Sequence, residues 1–177
     1  MIRSFSSFLR RYRRARSGAT AVEFALIAGP FFFLLFALME IAAIFFVGAV
    51  LENAMLETAR DIRTGAAQGA GMSRAGFTAA ICDRIAVIGN CDQLEVDVKV
   101  FNGFGDVQQD SPINPDGSLN TGGMDFEPGD AGDIVLVRVY YKWEVILPDF
   151  GGFLTNMENN QRLVTAATVF RNEPFDD

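Results

Sequence analysis

The chain has 177 residues, of which half are hydrophobic, and it carries 15 basic and 22 acidic side chains. This length allows one membrane segment and one small domain. Histidine is absent, so the commonest general base and the commonest metal ligand are missing. The sequence also contains no nucleophile motif, Walker loop or dinucleotide-binding glycine pattern. It therefore predicts a protein that is not an enzyme and that needs no cofactor.

Charge is distributed unevenly along the chain. Residues 1–18 hold no acid, and the rest of the chain holds 9 basic and 22 acidic residues. Basic residues before an apolar span keep that end in the cytoplasm, so we expect the acidic remainder on the other side. Membrane anchoring explains the basic arm, and nucleic acid is not an expected partner. The basic residues of this arm are Arg3, Arg10, Arg11, Arg13, Arg14 and Arg16.

A long apolar segment follows the basic arm. Phe24–Met39 and Ile41–Leu51 are uncharged, and Glu40 separates them. A helix over both would be about 42 Å long, whereas the hydrocarbon layer is ~30 Å thick. We therefore expect Glu23 and Glu40 near opposite membrane interfaces and Ile41–Leu51 to be covered by protein. A secretory signal peptide would be shorter and would be cleaved after its apolar region, so this segment is expected to remain as an anchor.

The helix is expected to be irregular in its first half and to extend beyond the membrane. Gly29-Pro30 predicts a kink or a locally unwound stretch. Apolar residues at helical spacing extend the helix to about Ala67, and Gly65–Gly71 is typical of a helix end and linker. A second helix is predicted over Ser73–Ile88, with Ser73 as its N-cap.

Three later segments have the pattern of β-strands. Leu94–Phe101 alternates, with valines on one face and Glu95, Asp97 and Lys99 on the polar face. Ile134–Ile146 is longer and alternates in the same way, and Leu163–Phe170 has two similar faces. The predicted fold is α+β: a long N-terminal transmembrane helix continuing into a small extracytoplasmic domain with a second helix and a mainly antiparallel sheet of three to four strands. The predicted organisation is a basic leader at 1–18, a transmembrane helix at 19–50, a helix extension and linker at 51–72, and a periplasmic α+β domain at 73–177.

The two cysteines, Cys82 and Cys91, both fall in the part expected outside the cytoplasm. An oxidising periplasm would allow a disulfide between them, and two free buried thiols are the alternative. Zinc is not expected, because two thiolates without histidine do not supply the usual four ligands.

A long loop, Asn102–Asp133, is rich in Gly, Asp and Asn. Oxygen-bearing side chains recur there at every second residue, which hints weakly at calcium. The EF-hand pattern requires Gly at its sixth position, where Leu119 stands, and a Glu at its twelfth, which is missing. We therefore favour a solvated acidic loop without a metal. The weak calcium candidates are Asn114, Asp116, Ser118 and Asn120.

The segments GATAVEFALIAGP and VFRNEPF resemble the TadE-like family of minor pseudopilins, which belong to tight-adherence (Flp-type) pilus systems and have a type IV pilin-like N-terminus. The resemblance implies that a prepilin peptidase cleaves after Gly18 and leaves Ala19 as the first residue. Glu23 would then be the fifth residue and would align subunits by pairing with a neighbour's terminal amine. Phe24 stands where the major Flp pilin usually has Tyr, which favours a minor component. The alternative is that Glu23 is only a carboxylate near the start of the helix, where the helix dipole favours negative charge.

The resemblance also implies a location and partners. We expect a single-pass protein of the bacterial inner membrane with a cytoplasmic N-terminus and a periplasmic domain, which stays there or enters the pilus. The implied partners are the prepilin peptidase, other minor pseudopilins, the major Flp pilin, the inner-membrane platform and the lipid bilayer. A different hypothesis is an uncleaved, signal-anchored periplasmic module that binds or senses a ligand through the acidic loop.

Overall fold

The computed structural model describes residues 18–107, 111–147 and 152–175. The chain divides into two compact units, Met1–Met39 and Glu40–Asp177. Helix α1 spans Ala19–Arg63 and supplies residues to both units. Apart from Gly18, the predicted leader lies outside the described residues.

The described part of the first unit is an apolar helical segment whose large side chains are exposed. Phe24, Leu26 and Ile27 are each 70–72% exposed. By length and composition α1 is able to cross a membrane, with a mean hydropathy of 2.6 in its most apolar window. Pro30 lies inside the helix, and the helix is continuous through it. The locally unwound stretch that we predicted there is therefore not present.

The helical part of the second unit ends close to where the sequence predicts. Helix α1 ends at Arg63, because Gly65 takes a left-handed conformation with φ of 80° and starts the short helix α2, Ala66–Gly69. Helix α3 spans Arg74–Ile85, and its N-cap Ser73 accepts a hydrogen bond from the backbone N–H of Gly76. Helix α3 is three residues shorter at its end than predicted.

The sheet has three antiparallel strands in the order β1-β2-β3. Their bounds are Leu94–Phe101 for β1, Ile134–Glu144 for β2 and Gln161–Arg171 for β3. Val96 lies opposite Val139, which lies opposite Ala166 on the other side. The α+β prediction with a mainly antiparallel sheet is confirmed.

The core of the second unit lies between the helices and one face of the sheet. The apolar stripe predicted on α1 is buried there, with Leu51, Met55 and Ile62 all at 0% exposure. Burying a side chain of this size stabilises the fold by about 1.5–3 kcal/mol. The side chains packed against this stripe include Phe77, Ile81, Ile85, Val96, Val98, Val137 and Val139.

The opposite face of the sheet is covered as well, which the sequence did not predict. Tyr140 and Leu163 are buried there beside Met157. Three side chains from the glycine-rich loop pack against them: Ile113, Leu119 and Met124. Our expectation of a purely solvated loop was therefore wrong, because its scattered apolar residues cover the sheet.

Candidate functional site

The predicted processing and alignment residues lie at the start of α1. Gly18 precedes the helix, which begins at Ala19. Gly18, Glu23 and Phe24 are all exposed. The first turn of α1 contains no acidic residue, so Glu23 lies beyond the turn in which the helix dipole acts. This position weakens the alternative that Glu23 serves only to neutralise the dipole.

Glu40, the second carboxylate of the apolar segment, is in a different environment. It is only 5% exposed. Its Oε1 accepts a hydrogen bond from Trp143 Nε1 at 2.9 Å, and its Oε2 accepts one from the backbone N–H of Ile146 at 3.2 Å. The expected interfacial carboxylate is therefore a hydrogen-bonded link between α1 and the end of β2.

A second buried carboxylate, Asp97, organises the loop-covered face of the sheet. It is 1% exposed and lies directly opposite Arg138 in the β1–β2 register. Its Oδ2 accepts hydrogen bonds from the Arg138 guanidinium, with Nε at 3.0 Å. Its Oδ1 accepts one from the backbone N–H of Asp125 at 2.8 Å and lies 3.5 Å from Lys99 Nζ. Asp97 therefore joins two strands and the loop, although the alternation had placed it on a solvent face.

The long loop is hydrogen-bonded to the outer edge of β1. Val98 donates its backbone N–H to the Asp125 carbonyl at 2.8 Å, and Glu127 donates to the Val98 carbonyl at 2.9 Å. Lys99 donates a hydrogen bond from Nζ to the Gly123 carbonyl. These bonds make Gly123–Glu127 a short parallel neighbour of β1, with a bridge between Val98 and Phe126.

Three of the four weak calcium candidates, Asn114, Asp116 and Ser118, form a turn that is hydrogen-bonded within itself, and the backbone N–H of Asn120 bonds to the Pro112 carbonyl instead. Asp116 Oδ1 accepts from the backbone N–H of Ser118 at 2.9 Å and from its hydroxyl at 2.6 Å. Asn114 Nδ2 donates to Ser118 Oγ at 3.0 Å. The two bonds from Ser118, first the one from its hydroxyl and then the one from its backbone N–H, lower the pKa of Asp116. Over the described residues, no group of three or more His, Cys, Asp or Glu side chains is arranged to hold a metal ion.

Cys82 and Cys91 are joined as a disulfide in the structure, with Cα atoms 5.6 Å apart. This separation lies within the usual range for a disulfide. The bond connects α3 with the turn that precedes β1. Cys82 also packs against the helix-side core.

The C-terminal VFRNEPF segment closes the fold around the end of α1. Asn172 is 3% exposed, and its Nδ2 donates to the carbonyls of Pro128 and Asp130, each at 3.0 Å. Glu173 donates its backbone N–H to the Arg63 carbonyl at 2.8 Å and pairs with the Arg63 side chain at 3.3 Å. This motif therefore has a visible structural role within the domain.

A small cleft lies beside the Asp97–Arg138 pair. Its volume is about 140 Å³. Its wall includes both of these residues, Lys99, Asn120 and Tyr140. Burial raises the pKa of Tyr140, an effect that Arg138 opposes and Asp97 reinforces.

Comparison with known proteins relates part of this chain to a described family. No curated protein and no solved structure matches this chain. A family model described as TadE-like protein matches residues 18–60. This range begins at the predicted cleavage residue, Gly18, and includes the exposed apolar part of α1. The resemblance to the TadE-like family is thereby confirmed over residues 18–60 of this chain.

Proposed function

We propose that this protein is a minor pseudopilin that takes part in assembly of a tight-adherence pilus and is cleaved by a prepilin peptidase after Gly18. The TadE-like match associates the chain with such pilus systems. The observation that carries the proposal lies within that match: one helix begins directly after Gly18, exposes its large apolar side chains, and has a single carboxylate, Glu23, ahead of Glu40.

The exposed apolar helix needs an apolar environment. Large contiguous apolar surfaces mark membrane or protein interaction sites. In a bilayer, lipid covers the side chains from Val22 to Met39. When the subunit joins an assembly, the helices of neighbouring subunits take the place of the lipid.

Glu23 supplies the register of that assembly. Cleavage frees the α-amine of Ala19, whose ordinary pKa of ~7.7–8.0 leaves it mostly positive at neutral pH. Glu23 of one subunit then pairs with the amine of the next. A carboxylate left unpaired in an apolar environment is penalised, so the pair favours one alignment of adjacent helices.

Glu40 does not compete for this role. Both of its oxygens accept hydrogen bonds from the protein's own domain, from Trp143 and Ile146. Tryptophan side chains are common at membrane interfaces. This contact supports a position for the Glu40 end of the helix close to the periplasmic surface of the membrane.

The size of the cleft beside Asp97 argues against the alternative in which the acidic loop binds a small ligand. The cleft measures about 140 Å³, whereas small-molecule sites usually occupy about 300–1,000 Å³. Lys99 and Arg138 also already have partners, in Gly123 and Asp97.

The test is the N-terminus of the protein extracted from native membranes that assemble the pilus. Intact mass and N-terminal sequencing should find a chain that starts at Ala19. A Gly18→Leu variant should keep the leader. A chain that retains residues 1–18 in the wild type would overturn the proposal and favour the signal-anchored module.

Glu23→Gln separates alignment from processing. We expect this variant to be cleaved normally, because Gly18 is the residue at the cut, and to fail to support piliation. Glu57→Gln is the matched control, since Glu57 is also an exposed carboxylate on α1 and does not line either groove beside β3. Normal piliation of the Glu23→Gln strain would contradict the alignment role.

A further inference from the structure

The two outer edges of the sheet differ in their cover. On β1 the loop segment Gly123–Glu127 pairs with the strand at Val98 and is held there by Asp97 and Lys99. The other edge belongs to β3, whose only strand neighbour among the described residues is β2. An open strand edge is a ready template for pairing with another chain.

The hydrogen-bond pattern shows which groups of β3 point outward. Val145 donates to the Asn160 carbonyl, and Asn172 donates to the Asp133 carbonyl, in line with the β2–β3 register. Hydrogen-bonded pairs alternate along an antiparallel ladder. The even-numbered residues of β3 therefore bond to β2, and the odd-numbered residues direct their N–H and C=O groups to the open edge.

The outward groups are satisfied only at the ends of β3. Leu163 donates its N–H to Asn156 Oδ1 at 2.7 Å, and beyond the strand Glu173 donates to the Arg63 carbonyl. Between them, the outward backbone groups of Thr165, Ala167 and Val169 have no hydrogen-bond partner in the described part of the chain. No charged residue or proline interrupts β3 between residues 163 and 170. This stretch lacks the features by which proteins usually protect an edge.

Grooves run along this edge beside α1. One of about 430 Å³ has Ile44, Glu52 and the consecutive residues 162–165 of β3 in its wall. A second, of about 300 Å³, is lined by α1 between Leu56 and Arg63 and by residues 168–170 of β3. Because consecutive strand residues line both grooves, the strand edge itself forms one wall of each.

The charge of this edge is opposite to that of the domain. Residues 19–177 carry 9 basic and 22 acidic side chains, yet Arg60, Arg63, Arg162 and Arg171 lie on β3 or in the walls of these grooves. Only Arg63 has a carboxylate within salt-bridge distance in the described residues, namely Glu173. Arg60, Arg162 and Arg171 therefore place positive charge without a salt bridge beside the open backbone groups; Arg162 and Arg171 each donate one hydrogen bond to a backbone carbonyl, and Glu52 lines the first groove with Arg162.

We propose that the open edge of β3 binds an extended segment of another protein, which adds as a further strand and carries acidic residues that meet Arg60, Arg162 and Arg171. Strand addition uses main-chain hydrogen bonds for affinity and side chains for specificity. A second copy of this chain fits less well, because β3, Gln161–Arg171, contains two arginines and no acidic residue that could meet the arginines of the other copy. The inference does not depend on cleavage after Gly18.

Site-specific photo-crosslinking in cells that assemble the pilus tests this edge. The photoreactive residue is placed at Thr165, which is exposed on β3, and in a control chain at Ala79, which is exposed on α3. We expect an adduct from position 165 and none from position 79, and peptide mapping should place the adduct in an acidic, extended segment of a different protein. No adduct at position 165, an adduct between two copies, or a mapped segment without acidic residues would overturn the inference.

Two further variants test the backbone and the charge separately. Ala167→Pro removes one outward N–H and leaves the bonds to β2 in place, so it should abolish the adduct at position 165. Arg162→Glu with Arg171→Glu should lower the adduct yield about five-fold, whereas the matched reversal Arg74→Glu with Lys142→Glu should leave it unchanged. Equal yields from the two reversals would contradict the charge argument. N-terminal sequencing of the same samples reports on processing, so loss of the adduct and loss of cleavage remain distinguishable.

Discussion

The two faces of the sheet are covered by different kinds of contact. Toward α1 and α3, Val96, Val137 and Val139 lie in a continuous apolar core at no more than 2% exposure. On the other face, Asp97 and Arg138 occupy the centre beneath a loop. Apolar packing is non-directional and spread over many residues, whereas the loop-covered face depends on a few directed bonds. The first face should therefore tolerate single changes in its polar surroundings, and the second should not.

Removing the Asp97 carboxylate should cause the largest loss of stability, and this loss should fall on the loop-covered face. Asp97→Ala leaves the Arg138 guanidinium, only 13% exposed, without its counter-charge, and breaking a buried pair in this way costs about 3 kcal/mol or more. It also removes the acceptor for the Asp125 backbone N–H. Denaturant unfolding of the full chain in detergent, followed by fluorescence of Trp143, the single tryptophan, should show the loss.

Proteolysis shows where that loss occurs. Cleavage within residues 102–133 should become faster in Asp97→Ala, while the helices stay resistant. The matched control is Glu95→Ala on the same face of β1, where a change of no more than about 0.5 kcal/mol is expected. Equal destabilisation by the two variants would show that the Asp97–Arg138 pair does not hold the loop.

The helix-covered face is the one that the sequence predicts. Strands β1 and β2 were located within three residues of their ends because alternation is a local pattern, and Ser73 was identified because an N-cap is chosen by local chemistry. Strand β3 was located to the same precision although its two faces are similar. The same alternation misplaced Asp97, since a polar residue on the second face gives no sign of what later covers it. The covering side chains, such as Leu119, are scattered through a glycine-rich segment without any period.

The candidate site divides in the same way. The roles of Gly18 and Glu23 were predicted from a short contiguous motif at the start of the apolar segment, and they stay predictions. Glu40 was found as a charge, but its partner Trp143 lies 103 residues away, a separation at which no local pattern operates. The open edge of β3 was also hidden, because neither strand order nor edge cover can be derived from the pattern of one strand.

Reducing the disulfide should weaken the helix-covered face and leave the loop-covered face intact. The Cys82–Cys91 bond closes a short loop of nine residues' separation, and such a cross-link contributes ~2–3 kcal/mol by the chain-entropy account. The double variant Cys82→Ser with Cys91→Ser should lower the free energy of unfolding by this amount.

Two measurements show whether the disulfide is formed and which face of the sheet it stabilises. Non-reducing mass analysis of the wild type should show a chain that is two hydrogens lighter than the reduced form. Proteolysis of the double variant should become faster between α3 and β1 and should stay unchanged within residues 102–133. Faster cleavage in that loop alone would show that the disulfide supports the other face, contrary to the comparison.

Alkaline pH should have the smallest effect, and the adjacent tyrosines Tyr140 and Tyr141 report on the two faces. Burial raises the pKa of both; Arg138 opposes the shift at Tyr140, and a backbone hydrogen bond at Asn90 opposes it at Tyr141. The folded protein therefore keeps these protons to a higher pH than the unfolded chain does. The stabilising contribution is complete below the ordinary pKa of about 10 and is lost as the pH rises through the raised value.

Phenylalanine variants assign that loss to each face. Urea unfolding at about pH 8 and about pH 10.5 should show a decrease in stability that is smaller in both Tyr140→Phe and Tyr141→Phe, because each removes one titrating group. Of the two tyrosines, only Tyr140 lies in the apolar cluster on the loop-covered face, with Met157 and Leu163. We therefore expect proteolysis of residues 102–133 to become faster at high pH in the wild type and in Tyr141→Phe, and to stay unchanged in Tyr140→Phe. If Tyr141→Phe protected the loop equally, ionisation on the helix side would also control the loop, and the two faces would not be independent.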